Sequence, residues 1–121
     1  MSRFVRISCQ QIDDEDDDPA PLTFDVVIDT DNRLLHNVPF AGWWGQPRTN
    51  AFLRPLVFRP DGIVDFGGDP EDDDKERHSE MKLHGAVLNK GTKLYLRDSS
   101  DDSVAIFVVK KIIDLLTLQE I

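Results

Sequence analysis

Six consecutive acids, Asp13, Asp14, Glu15, Asp16, Asp17 and Asp18, and a second group, Asp69, Glu71, Asp72, Asp73 and Asp74, are the densest concentrations of ionisable side chains in the chain. Carboxylates in such number can hold Ca2+, which takes about six to eight oxygens, or present a negative field to a cationic partner. Neither run has the Asp-x-Asx-x-Asx-Gly spacing of a calcium loop, and consecutive aspartates cannot all turn toward one ion. The field is the stronger reading, beside the plainer one of solvated loops that aid solubility.

Trp43 and Trp44 form the second candidate. A tryptophan pair among glycines and prolines can anchor an interface, because Trp, Tyr and Arg dominate binding energetics. It can equally close a core, each ring burying on the order of 200 Å². Adjacent residues of an extended segment point opposite ways, so one ring inside and one outside is the expectation.

The remaining reactive side chains carry less. On a strand, His78 and His84 would share a face but stand roughly 20 Å apart, and His36 is distant in sequence, so no zinc set of three or four ligands converges. Cys9 falls on the apolar face of an alternating segment, where a thiol behaves as a small buried hydrophobe. No nucleophile elbow, HExxH, P-loop or GxGxxG pattern occurs. Gly42-x-x-Gly45 and Gly67-Gly68 lack the Lys or Ser/Thr that a phosphate loop needs. No catalytic residue, cofactor or metal site is expected, and the chain is not read as an enzyme.

Charge distribution narrows the partner. The net charge is −9, yet Asp13–Asp18, the group from Asp69 to Asp74, and Asp98, Asp101 and Asp102 together hold 14 of the 23 acids. The rest of the chain carries 9 acids against 14 Lys and Arg, a mildly basic body with very acidic loops. Nucleic-acid binding needs a cationic face that releases counterions from phosphates, and this field repels such a ligand. A single cysteine permits no intramolecular disulfide, which fits a reducing compartment. The N-terminus has no apolar stretch of signal-peptide type and no segment is apolar enough to span a membrane, so a cytoplasmic location is the expectation.

The elements that must position these residues are strands. Val5, Ile7 and Cys9 alternate with Arg6, Ser8 and Gln10, as do Leu22, Phe24, Val26 and Ile28 with Thr23 and Asp25. These two segments should pair across an acidic loop near residues 13–21. Leu56 to Arg59, Pro60-Asp61-Gly62, and Ile63 to Phe66 read as a hairpin, with proline and glycine setting the turn. Pro55 inside the first arm suggests either an edge strand or a strand start near Leu56. Further strands are expected over Met81–Val87, Leu94–Arg97 and Val104–Ile113, and Leu115–Ile121 either extends the last strand or ends in a helical turn. Arg33–Val38 fits a short strand or a helical turn. Residues 39–50, rich in Gly, Pro and Trp, and residues 67–78 read as loops.

About seven short strands joined by turns, with at most one short helix, predict an all-β, mainly antiparallel small barrel or sandwich. Residues 1–121 form one domain on this reading. Small acidic domains without catalytic motifs are similar in general character to immunity proteins of bacterial toxin systems. The expectation is a protein-binding module that blocks a basic partner such as a toxin domain, monomeric or weakly self-associating, using Trp43, Trp44 and the acidic loops. A structural β-domain of a phage or secretion assembly, and an enzyme of unrecognised type, are the alternatives.

Overall fold

The computed structural model of the chain describes residues 2–12, 21–35, 38–45, 53–69, 72–83, 85–98 and 102–121. Nine strands follow one another: β1 Arg3–Gln11, β2 Leu22–Ile28, β3 Phe40–Gly45, β4 Leu53–Phe58, β5 Ile63–Asp69, β6 Asp72–Glu80, β7 Lys93–Asp98, β8 Val104–Asp114 and β9 Gln119–Glu120. Each pairs antiparallel with its successor, and β1 also pairs with β8, so the first eight strands close into an up-and-down barrel. Closure is a direct answer to the exposed edges of an open sheet. The short β9 hairpins back onto β8 through Ile113↔Glu120 and Asp114↔Gln119.

Alternation in the sequence becomes inside and outside in the barrel. Val5, Ile7 and Cys9 of β1 and Leu22, Phe24, Val26 and Ile28 of β2 all point inward and are buried. Phe107, Val109 and Ile112 of β8 meet them across the closing seam, where Ile7 stands opposite Ile112. An eight-stranded barrel is just wide enough for side chains to fill, and an aromatic cluster does much of the filling. The Phe24 ring centroid lies 5.1 Å from that of Phe58 and 5.7 Å from that of Phe40, while Phe40 stacks on Phe58 at 4.7 Å. Each such ring contributes on the order of 2–3 kcal/mol by leaving water.

The paired β1 and β2, the hairpin turning at Pro60-Asp61-Gly62 and the long β8 agree with the sequence reading. Gly62 takes φ 90, the left-handed region that the turn requires. Four expectations are corrected. The segment read as a loop over 39–50 contains β3, because Gly42 sits under Phe24 and backbone pairing with both β2 and β4 outweighs the low strand preference of its glycines. The segment read as a loop over 67–78 is mostly the β5–β6 pair, held by backbone register such as Val64↔Ser79 and Asp65↔His78 rather than by apolar alternation.

Met81 to Val87 is not a strand: the chain leaves the sheet after Glu80, and Val87 makes an isolated bridge to Arg33 outside the named strands. The hairpin around Pro60 is no edge either, since β4 and β5 are each paired on both sides. Pro55 is accommodated differently. Gly45 donates its N–H to Pro21 on the β2 side, so the strand alternation turns Trp44 toward β4 and leaves the Pro55 nitrogen facing β5. Pairing between β4 and β5 begins only at Val57, so no ladder bond is lost there.

Among the described residues of the stretch 33–38, none lies in a helix or named strand; Arg33 and Leu34 make isolated bridges to Val87 and Ile28. Residues 115–118 turn the chain into β9. No helix of the described residues is long and apolar enough to cross a membrane.

Candidate functional site

Strand direction sorts the loops of an up-and-down barrel between its two ends. The strand ends that flank the acidic segments are Gln11 and Leu22, Asp69 and Asp72, and Asp98 and Val104. Because consecutive strands alternate in direction, all six lie at the same end of the barrel. Asp69 and Asp72 stand opposite one another in the β5–β6 register. Asp73 and Asp74 follow in β6, while Asp13, Asp14, Glu15, Asp16, Asp17, Asp18 and Glu71 lie outside the described residues. At this end Asp102 has a basic partner, the Nη1 of Arg97 at 3.1 Å.

The tryptophans divide as their adjacency requires. Trp44 turns inward at the same end, 5.9 Å edge-on from the buried Phe107 and 6.4 Å from Phe66. The Arg54 guanidinium lies 5.6 Å over Phe66, so an aromatic and cationic cluster lines the inside of the barrel beside the acidic end. Trp43 lies on the outer wall and is half-buried. Its ring stacks under the Arg6 guanidinium at 5.0 Å, and Arg6 in turn grips Asp25 through Nε at 2.8 Å and Nη2 at 2.9 Å. The hydrogen bond to Asp25 pushes the Arg6 pKa above its ordinary value, against opposing desolvation. The structure does not bring the two indoles together as one exposed anchor.

A second feature, absent from the sequence reading, lies where β6 and β7 meet. Their ladder comprises Ser79↔Asp98 and Glu80↔Arg97. Beyond it the chain splays away from β7, leaving a lateral cleft of about 730 Å³ between Glu80–Leu83 and Lys93–Arg97. A smaller cleft of about 310 Å³ lies on the other side of Met81–Leu83, against Phe40, Phe58 and the Pro60 turn. At the head of the larger cleft Arg97 bonds Glu80 at 3.0 Å and Lys82 approaches the same carboxylate at 3.5 Å. The Arg97 hydrogen bond holds the Glu80 carboxyl below the usual range. No sequence signal marked this cleft, because Met81–Val87 has the alternation of a strand that would have filled it.

Cys9 is buried in the barrel wall, and burial pushes its thiol up to about 12. A thiol so held offers no nucleophile at neutral pH. Among the described residues no group of three or more His, Cys, Asp or Glu side chains could hold a metal. His36 and His84 lie outside the described residues, and His78 falls within β6.

Fold and site together define a closed, all-β meander barrel with a filled wall, an acidic end and a lateral cleft. The chain matches no protein-family model, no curated protein and no solved structure.

Proposed function

We propose that this protein is an acidic binding module that blocks a basic protein partner, in the manner of an inhibitor or immunity protein. The observation that carries the reading is that all three acidic segments spring from strand ends at one end of the barrel. These segments hold fourteen of the 23 carboxylates. Charge so placed gives the protein a strong electrostatic polarity, which accelerates encounter with a cationic surface and orients it before contact. A toxin domain that attacks nucleic acid is usually cationic and is a natural partner of this kind. The barrel supplies a rigid mount, which lowers the ordering cost of binding. Trp43, half-exposed on the outer wall, supplies contact area beside the field.

The test compares two baits in a lysate of the source cell. One is the wild-type protein. In the other Asp13, Asp14, Asp16, Asp17, Asp18 and Asp72–Asp74 are replaced by Asn and Glu15 by Gln, with folding checked by circular dichroism. The reading predicts a stoichiometric basic protein on the wild-type bait at low salt, depleted on the variant. Equal recovery of the same partner by both baits, or recovery of acidic proteins only, contradicts it.

A further inference from the structure

The splayed seam between β6 and β7 has the features of a vacant strand position, and they do not depend on the acidic end. In β7 the Asp98 N–H donates to Ser103 O, on the β8 side. Backbone groups of an antiparallel strand alternate between its two neighbours, so Leu94 and Leu96 also face β8, while Lys93, Tyr95 and Arg97 face β6. Arg97 finds Glu80 there. Continuing that register would place Lys82 opposite Tyr95, but the ladder stops at Glu80. Met81 donates its N–H to Gly62 O, toward β5, which leaves the Lys82 backbone facing the cleft. The free edge of β7 and the departing backbone at Lys82 therefore confront each other across the opening without pairing.

The opening is held, not loose. Leu34 N–H donates to Ala86 O at 2.9 Å, Leu88 N–H to Asn32 O at 2.7 Å, and Arg33 Nη1 to Gly85 O at 2.9 Å. The Asn32 amide reaches Asn89 Oδ1 at 2.6 Å. Met81, Leu83 and Leu88 are buried, so the splayed segment is anchored at the opposite side of the barrel end and cannot relax onto β7 without losing these contacts. Such preorganisation lowers the cost of receiving a strand.

Charge selects the occupant. Lys82, Lys93 and Arg97 line the cleft against one carboxylate, Glu80. Asp102 also holds Arg97, so the local surplus is one positive charge, on a chain of net charge −9. Lys93 forms no ion pair with a described residue, and the Lys82 side chain, 3.5 Å from Glu80, is 85% exposed. The free edge of β7 from Lys93 to Leu96 is four residues long, about 13 Å at the rise of a strand. Leu94 and Val104 supply apolar lining.

We propose that this cleft docks an extended acidic peptide of a partner protein, which adds as a strand to the free edge of β7. Main-chain bonds to Lys93 and Tyr95 would give the affinity, and Lys82 and Lys93 the preference for acidic side chains.

The probe is a capped peptide of alternating Glu and Val, seven residues long, compared with its Lys/Val counterpart. Binding is read by amide chemical shifts and hydrogen exchange of the whole protein. The acidic peptide should slow exchange at Lys93 and Tyr95 at least fivefold, with little change at Leu94 and Leu96, which are already paired to β8. The double variant Lys82→Glu/Lys93→Glu should weaken it by about tenfold, and replacing the acids of the opposite end should not weaken it. Equal binding of both peptides, shifts confined to other strands, or no protection at millimolar peptide would overturn the proposal. Protection of the same amides that rises with protein concentration and needs no peptide would overturn it in favour of a second copy as occupant.

Discussion

Gly42 stands directly opposite Phe24 in the β2–β3 register, and a side chain there would meet the Thr23 carbonyl oxygen and lie 2.8 Å from the Phe24 Cβ. The obstacle is mostly backbone and the root of a buried ring, neither of which can swing aside. Gly42→Ala is therefore expected to destabilise the barrel by about 3 kcal/mol, the upper range for overpacking a core. Chemical denaturation checks this; a loss below about 1 kcal/mol would mean that β3 can shift away from β2.

On the outer wall, Arg6, Asp25 and Trp43 link β1, β2 and β3. The pair is partly open to solvent, with side-chain exposures of 39% and 26%, so screening limits its value despite two-point geometry. A double-mutant cycle of Arg6→Ala and Asp25→Ala should give a coupling of about 0.5–1 kcal/mol, smaller in high salt. Trp43→Leu should remove a further ~0.5 kcal/mol through the lost cation–π contact. A coupling near zero would show that the guanidinium is held by the ring alone.

The buried thiol gives an alkaline signature. Cys9 ionises near 9 when unfolded and at about 12 in the barrel. A raised pKa in the folded state favours the protonated form, so its contribution is intact below pH 9 and is lost as pH rises from 9 toward 12. The unfolded chain gains by ionising first, at up to about 1.4 kcal/mol per pH unit. Denaturation from pH 8 to 10.5 should show this added slope in the wild type and not in Cys9→Ala. The native thiol should also react with a disulfide reagent only at the rate of barrel opening; rapid modification at pH 8 would contradict its placement.

Legibility in the sequence followed apolar alternation. β1, β2 and β7 bury alternate residues such as Ile7, Phe24 and Leu94 and are apparent from period two, while β8, which buries Phe107, is apparent from its β-branched residues. The hairpin from Leu56 to Phe66 was apparent from its turn chemistry. β6 was not, because Asp-Asp-Asp-Lys-Glu-Arg-His-Ser-Glu has no apolar periodicity and its strand form comes from backbone pairing with β5. β3 was hidden by its glycines, whose value lies in the closeness of Phe24, a partner remote in sequence. The reverse error arose at Met81–Val87, where Met81 and Leu83 are buried in the barrel end without belonging to the sheet.

The same logic separates the two sites. Acidic composition was visible, but its collection at one end depends on the even alternation of eight strands, which needed β3 and β6 to be counted. The β6–β7 cleft depends on a strand that stops early, and no local pattern encodes where pairing ends.

The most direct measurement of the central claim is the association rate between this protein and a basic protein recovered on the wild-type bait, followed against ionic strength for the wild type and the acid-neutralised variant. Steering by the acidic end predicts a wild-type rate that falls steeply with salt, and a variant at least tenfold slower in low salt with a nearly flat dependence. Dissociation rates should change less than association rates. Identical association rates and identical salt dependence for the two proteins would contradict the account.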